Sequence, residues 1–155
     1  MDILDFLVPQ AVFTKVKGGA KRTLLEALCQ KAAPFARLPE AGLFEAVWER
    51  EMLNSMGVGQ GIAIPHGRIK HLDRMVGLFA RLESPVDYEA IDGLPVDLVF
   101  LLLSPEAAGA DHLKALAKIS RLLRNQKVCE KLRASSDSAA LYSILTEPAA
   151  NAQAA

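Results

Sequence analysis

The hydrophobic positions of this chain fall into short runs and helical stripes that alternate along its length. Ile3 to Val8 forms an amphipathic piece of one or two helical turns, ended by Pro9. Val12-Phe13-Thr14-Lys15-Val16-Lys17 alternates in part and carries β-branched residues, which predicts a strand closed by Gly18-Gly19. From Lys21 to Phe35, Leu24, Leu25, Leu28 and Ala32 recur at helical spacing, and Pro34 and Pro39 bracket the break that follows. A second helix is predicted from Glu40 to Leu53, with Leu43, Phe44 and Val47 facing inward and Arg50 sharing or bordering that side. Glycines at 57, 59 and 61 allow a tight turn, and Ile62-Ala63-Ile64 reads as a short buried strand.

In the second half, Met75 to Leu82 reads as a strand, Pro85 to Tyr88 as a short extended piece, and Ile91 to Pro95 as a turn. Val96 to Leu103, bounded by Pro95 and Pro105, is an apolar run of strand length that suits a central strand buried on both faces. After a loop over Ala107 to Ala110, Asp111 reads as the N-cap of a helix to about Asn125, with His112, Leu116, Ile119 and Leu123 on one stripe. Lys114, Lys118 and Arg121 fall on its opposite side, and helices over Lys127 to Ala134 and Ser138 to Thr146 follow. Strands alternating with helices predict an α/β fold, a single mixed β-sheet flanked by helices on both faces. Residues 1–147 read as one domain, and 148–155, after Thr146 and Glu147, as a frayed, disordered C-terminal tail.

Composition narrows the function classes. With 51% hydrophobic and 23% charged residues, the chain reads as a folded soluble protein and not as a disordered one. Eighteen basic residues balance eighteen acidic ones, so net charge points to neither nucleic acid nor an anionic membrane as partner. Leu98 to Leu103, the longest strongly apolar run, is too short for a membrane span. The start Met-Asp-Ile-Leu-Asp lacks the basic residues of a secretory signal. Cys29 and Cys129, far apart and each in a helical pattern, read as buried thiols, so the expected location is a reducing cytoplasm.

Candidate chemistry centres on Gly57-Val-Gly-Gln-Gly-Ile-Ala-Ile-Pro-His-Gly-Arg68. Pro65 biases Ile64 toward the extended region and cannot donate to a ladder. His66 is therefore expected where a strand ends and a loop begins, with Gly67 leaving its ring uncrowded. Read alone, this pattern leaves two readings open, a satisfied turn histidine and a reactive one. Arg50 has two as well: a cation favoured at a helix C-terminus, or an anion-binding group at the rim of the loop carrying His66. By pattern alone, His112 is more simply a histidine packing a helix start.

Ile62-Ala63-Ile64-Pro65-His66-Gly67-Arg68 resembles the phosphorylation-site motif of the type-2 (fructose–mannitol class) enzyme IIA domains of the bacterial phosphotransferase system. With Gly57-Val-Gly59-Gln-Gly61 in front, it most resembles the nitrogen-regulatory branch of that family, over nearly the whole chain to Glu147. The resemblance implies the type-2 enzyme IIA fold and a cytoplasmic phosphocarrier role without cofactor or metal. It implies that His66 accepts a phosphoryl group from a histidine phosphocarrier protein, at the ring nitrogen farther from the backbone. Arg50 then matches the family's active-site arginine, and His112 its second, supporting histidine. Such transfer passes through a loose in-line transition state, so positioning and charge stabilisation carry the catalysis. Arg50 is the expected donor to the phosphoryl oxygens, with His112 and amides of the glycine run as further candidates. In the regulatory branch the phosphorylation state controls partner proteins. A sugar-specific IIA passing the group to a IIB domain, and a binding module of the same fold without phosphotransfer, are the alternatives.

Other classes fit poorly. His66, His71 and His112 are the only histidines, and no pair has the i, i+4 spacing of a helical zinc site. The glycines read G-x-G-x-G after a helix and before a strand, whereas a dinucleotide fingerprint reads G-x-G-x-x-G between a strand and a helix. No Gly-Lys-Ser/Thr of a P-loop occurs.

Overall fold

The computed structural model describes residues 1–154, with side chains described for 1–147. Two 3-10 turns, Ile3–Asp5 and Pro9–Ala11, lead into β1 (Val12–Val16), α1 (Lys21–Ala36) and α2 (Glu40–Leu53). Then come β2 (Gly57–Gly59), β3 (Ile62–Ala63), β4 (His66–Ile69), β5 (Val76–Val86) and β6 (Val96–Pro105). Helices α3 (Ala110–Arg124), α4 (Gln126–Ala134) and α5 (Ser138–Ala154) complete the chain.

The strands form one mixed sheet in the order β1-β5-β6-β3-β2, with β4 also paired to β6. β6 is its spine, antiparallel to β5 and parallel to both β3 and β4. Its apolar run alternates as a doubly covered strand should. Val99, Leu101 and Leu103 join the core under α1 and α2, while Leu98, Phe100 and Leu102 join the core under α3, α4 and α5. The α1 stripe is as its spacing predicts, with Leu24, Leu25, Leu28 and Ala32 fully buried; in α3, His112, Ile119 and Leu123 are buried as predicted, but Leu116 is only partly so and Ala115 is fully buried beside it. Cys29 lies in the first core and Cys129 in the second, so the sheet separates the two free thiols.

Several local expectations change. Helix α1 runs through Pro34 to Ala36, because Ala32 and Ala36 keep the apolar stripe buried on either side of the missing N–H. It stops at Arg37, in the left-handed region (φ 56°), whose N–H bonds back to the Ala33 carbonyl at 2.8 Å. Phe44 is only half-buried; it stacks on Trp48 at 5.7 Å, and the inward stripe of α2 is Leu43, Val47 and Glu51. The glycine run does more than turn: Gly57–Gly59 is itself a strand, antiparallel to β3, with Gly59, Gln60 and Gly61 all at positive φ. β5 extends through Pro85 to Val86 across a register shift after Arg81. The N-cap of α3 is Gly109 (φ 61°), and Asp111 sits inside the first turn. α5 passes the expected end at Thr146; the side chains of 148–154 and all of residue 155 lie outside the described residues, and the expected frayed tail with them.

Candidate functional site

His66 does not end a strand; it begins one. Pairing with β6 breaks at Ile64-Pro65, where proline has no N–H to give, and resumes with His66 opposite Leu102 and Arg68 opposite Ser104. Partners in register share a face, so His66 and Arg68 look toward α3. Gly67 and Ile69 look the other way, toward α2. A Cβ on Gly67 would meet Ala46 C, Val47 N and Val47 Cγ2 at 3.4 Å, so the space this glycine leaves is taken by α2 and not kept for the imidazole.

The His66 ring is fixed from its own backbone. Nδ1 donates to the Ile64 carbonyl at 2.7 Å, and a carbonyl only accepts, so the proton is on Nδ1 and Nε2 carries the lone pair. Burial lowers the pKa of His66, the Ile64 bond raises it, Arg50 lowers it and Glu51 raises it, with a net downward shift. A neutral ring near pH 7 follows. That is a competent nitrogen nucleophile.

His112 comes off the first turn of α3 onto the same face, its ring centroid 5.6 Å from that of His66 and tilted by 59°. It is buried, and Nδ1 lies 2.7 Å from the hydroxyl of the fully buried Ser104. Burial first, then the charges of Arg68 and His66, push its pKa down to about 4. Arg50 lies at the C-terminal end of α2, where its Nη1 donates to the Asn54 carbonyl at 3.2 Å and to Asn54 Oδ1 at 3.1 Å. Its charge reaches His66, and among the described residues its other guanidinium donors take no bond. The structure thus brings the two histidine rings together and sets Arg50 in the electrostatic neighbourhood of His66. Arg68, absent from the predicted set, donates to the Gly109 carbonyl at 3.4 Å and joins the neighbourhood through His112.

The glycine amides fall away from it. The Gly61 carbonyl accepts from Asp97 and Leu98 at the start of β6, whereas His66 pairs with Leu102. Four residues of strand separate those levels by about 13 Å. The Gln60 N–H is already taken by Asp92 Oδ2 at 2.9 Å, and the Gly57 N–H by Ser55 Oγ at 3.1 Å. These glycines serve packing instead: a Cβ on Gly57 would lie 2.7 Å from Ala90 Cβ, and one on Gly61 2.6 Å from Arg133 Nη2. His71, at φ 67°, lines a 540 Å³ cleft with Arg68, Lys70, Glu45 and Glu49. Among the described residues, no three His, Cys, Asp or Glu side chains come together as metal ligands, and no helix is long and apolar enough to cross a membrane.

Pattern reading missed Glu51. It is buried, 2% exposed, on the stripe begun by Leu43 and Val47. The i, i+4, i+8 spacing of those three residues was the available signal. Its Oε1 accepts from the Met56 N–H at 3.0 Å and the Tyr88 hydroxyl at 2.8 Å, and its Oε2 meets Lys21 Nζ at 3.2 Å.

Known proteins resemble this arrangement throughout its length. Residues 5–147 match the family model described as "Phosphoenolpyruvate-dependent sugar phosphotransferase system, EIIA 2". A nitrogen regulatory protein of Bradyrhizobium diazoefficiens is 51% identical over 152 residues, covering 98% of this chain and 99% of the relative. The crystal structure of nitrogen regulatory protein IIA-Ntr from Neisseria meningitidis superposes with a TM-score of 0.86 at 35% identity, over 91% of this chain and 97% of that one. The IIA mannitol structure from Escherichia coli, 18% identical with a TM-score of 0.75 over 89% and 97% of the two chains, shares the fold. The chain belongs to the type-2 EIIA family of the phosphoenolpyruvate-dependent phosphotransferase system, as a component that is phosphorylated on histidine.

Proposed function

We propose that His66 is the phosphorylated residue, that its donor is a histidine phosphocarrier protein, and that its phosphorylation state controls partner proteins in a nitrogen-related phosphotransferase system. The observation that carries this reading is the 2.7 Å bond from His66 Nδ1 to the Ile64 carbonyl, which leaves Nε2 as the free nucleophile. The regulatory branch is favoured by the likeness, end to end, to proteins named nitrogen regulatory.

The step balances without a separate base. The Nε2 lone pair forms a bond to phosphorus as the donor's P–N bond breaks, and the donor imidazole departs with that bond's electron pair. The proton on His66 Nδ1 stays where it is. We assign the Ser104 hydroxyl as the donor to His112 Nδ1, 2.7 Å away, which puts that ring's proton on Nε2, where it is offered to a phosphoryl oxygen. Arg50 offers its remaining guanidinium donors to another, and charge-assisted donors of this kind are worth most where water is excluded. Because the His66 pKa is depressed, the ring stays neutral and reactive below its ordinary titration range near 6.5.

The test is intact mass after incubation with phosphoenolpyruvate, enzyme I and phosphocarrier protein, with His66→Ala alongside. The expected result is one acid-labile phosphoryl group on the parent and none on the variant. A phosphorylated His66→Ala, or an unmodified parent beside a phosphorylated control IIA, would overturn the proposal.

A further inference from the structure

A carboxylate with no solvent contact needs a reason. Glu51 is 0% exposed at its side chain, and burying an ion costs several kcal/mol unless partners replace its water. Three donors do so: the Met56 N–H and the Tyr88 hydroxyl on one oxygen, the Lys21 ammonium on the other. Lys21 is itself 11% exposed, 5.6 Å over the Tyr88 ring and 3.8 Å from a second carboxylate, Glu89. The Tyr88 hydroxyl is kept as a donor, its titration pushed well up by burial and then by Glu51. This cluster joins α1, α2 and the segment after β5 below the loop that leaves α2.

What the carboxylate holds is one peptide. Met56 gives its N–H to Glu51, and its carbonyl accepts from the Ile64 N–H at 2.9 Å. Ile64 in turn presents its carbonyl to His66 Nδ1 at 2.7 Å, and the Met56 sulfur accepts from the His66 backbone N–H at 3.3 Å. One residue therefore meets the phosphoacceptor strand twice, once at each end of Ile64-Pro65-His66, where ladder pairing is interrupted. Without it, this segment lacks sheet partners on that side.

We propose that Glu51 is a positioning residue for His66: its buried carboxylate fixes the Met56 peptide, which holds the Ile64 carbonyl against the imidazole. This rests on reading His66 as the phosphoacceptor. The carboxylate never touches the phosphoryl group. It acts by keeping Nδ1 protonated and the ring pointed, so that Nε2 meets the donor's phosphorus in line.

Two double variants isolate the effect, because both remove the buried charge pair and leave no ion unpartnered. Lys21→Met/Glu51→Gln keeps a carbonyl oxygen for the Met56 N–H, and Lys21→Met/Glu51→Leu removes it. For each, the His66 ring is followed by imidazole 15N NMR across pH, and the rate of phosphoryl gain from a phosphorylated phosphocarrier protein is measured under conditions where circular dichroism shows full folding. The Leu variant is expected to show mixed His66 tautomers and a rate at least tenfold below the parent's. The Gln variant is expected to restore the Nδ1–H tautomer and most of the lost rate. Both lose the Glu51 charge, so among the described residues Arg50 of α2, Arg68 of β4 and His112 of α3 remain as the charged or titratable groups around the ring. A folded Leu variant with the parent's tautomer and rate would refute the positioning role. In the parent itself, the Met56 and Ile64 amides should exchange with solvent at one common rate; a freely exchanging Met56 amide beside a protected Ile64 would refute it too. Failure of His66 as acceptor would appear separately, as an unphosphorylated parent whose ring spectra still respond to the substitutions.

Discussion

His112 ties acid sensitivity to the site. Its folded pKa is about 4 and its unfolded value about 6.5, so between those pH values the unfolded chain binds the proton and the folded chain resists it. Stability therefore rises with pH across this window; the contribution is fully present above 6.5 and is lost as pH falls toward 4. A shift of this size corresponds to on the order of 3 kcal/mol between pH 7 and pH 4. The substitution that isolates it is His112→Asn, which leaves a polar atom near the Nδ1 position for Ser104 and cannot titrate. Urea unfolding of parent and variant at both pH values gives the comparison, with carboxylate titrations common to the two chains cancelling. The variant's loss of stability on acidification should be smaller than the parent's by roughly that 3 kcal/mol. Equal losses would mean that the histidine is solvated in the folded state, contrary to its burial against Ser104 and α3.

Removing the Arg50 donor by Arg50→Gln should slow phosphoryl acceptance by about 100-fold while moving stability by under about 1 kcal/mol, since among the described residues its hydrogen bonds go only to Asn54. The same substitution should raise the His66 titration midpoint, because the arginine's charge lowers it; a ring titration followed by NMR checks the direction. Gly57→Ala forces a methyl to within 2.9 Å of the Ala90 backbone and should cost about 1–3 kcal/mol in urea unfolding. Arg133 grips Asp97 with two bonds of 2.9 Å and the Gln60 carbonyl at 2.8 Å; with its side chain 37% exposed, Arg133→Met should cost about 1 kcal/mol and leave phosphoryl acceptance near the parent's.

Legibility followed the physics of each segment. The run from Val96 to Leu103 read correctly as a central strand, because a strand covered on both faces must be apolar at consecutive positions. The α1 stripe was equally plain, whereas Phe44 of α2 and Leu116 of α3, expected inward, are only partly buried. Short strands were not plain: β2 is three residues with two glycines, held by β3 and by packing against Ala90 and Tyr88, none of which has a local signature. The break at Ile64-Pro65 was foreseen from proline, but that pairing resumes at His66 depends on β6, some 35 residues on. His66, Arg50 and His112 could be singled out from a local motif and spacing. Glu51 had only its i, i+8 place on the stripe of Leu43 and Val47 to mark it, and a glutamate next to Arg50 at a helix end otherwise reads as a solvated charge. Its meaning comes from Lys21, Met56 and Tyr88, which only the folded chain brings together.

In the proposed reaction, local geometry chooses the reacting nitrogen of His66. NMR of the 15N-labelled protein, phosphorylated by its donor, tests it through the one-bond 31P–15N coupling in the ring. Phosphorus is expected on Nε2, with Nδ1 still protonated and bonded to the Ile64 carbonyl. Phosphorus on Nδ1, or on any residue other than His66, would contradict it.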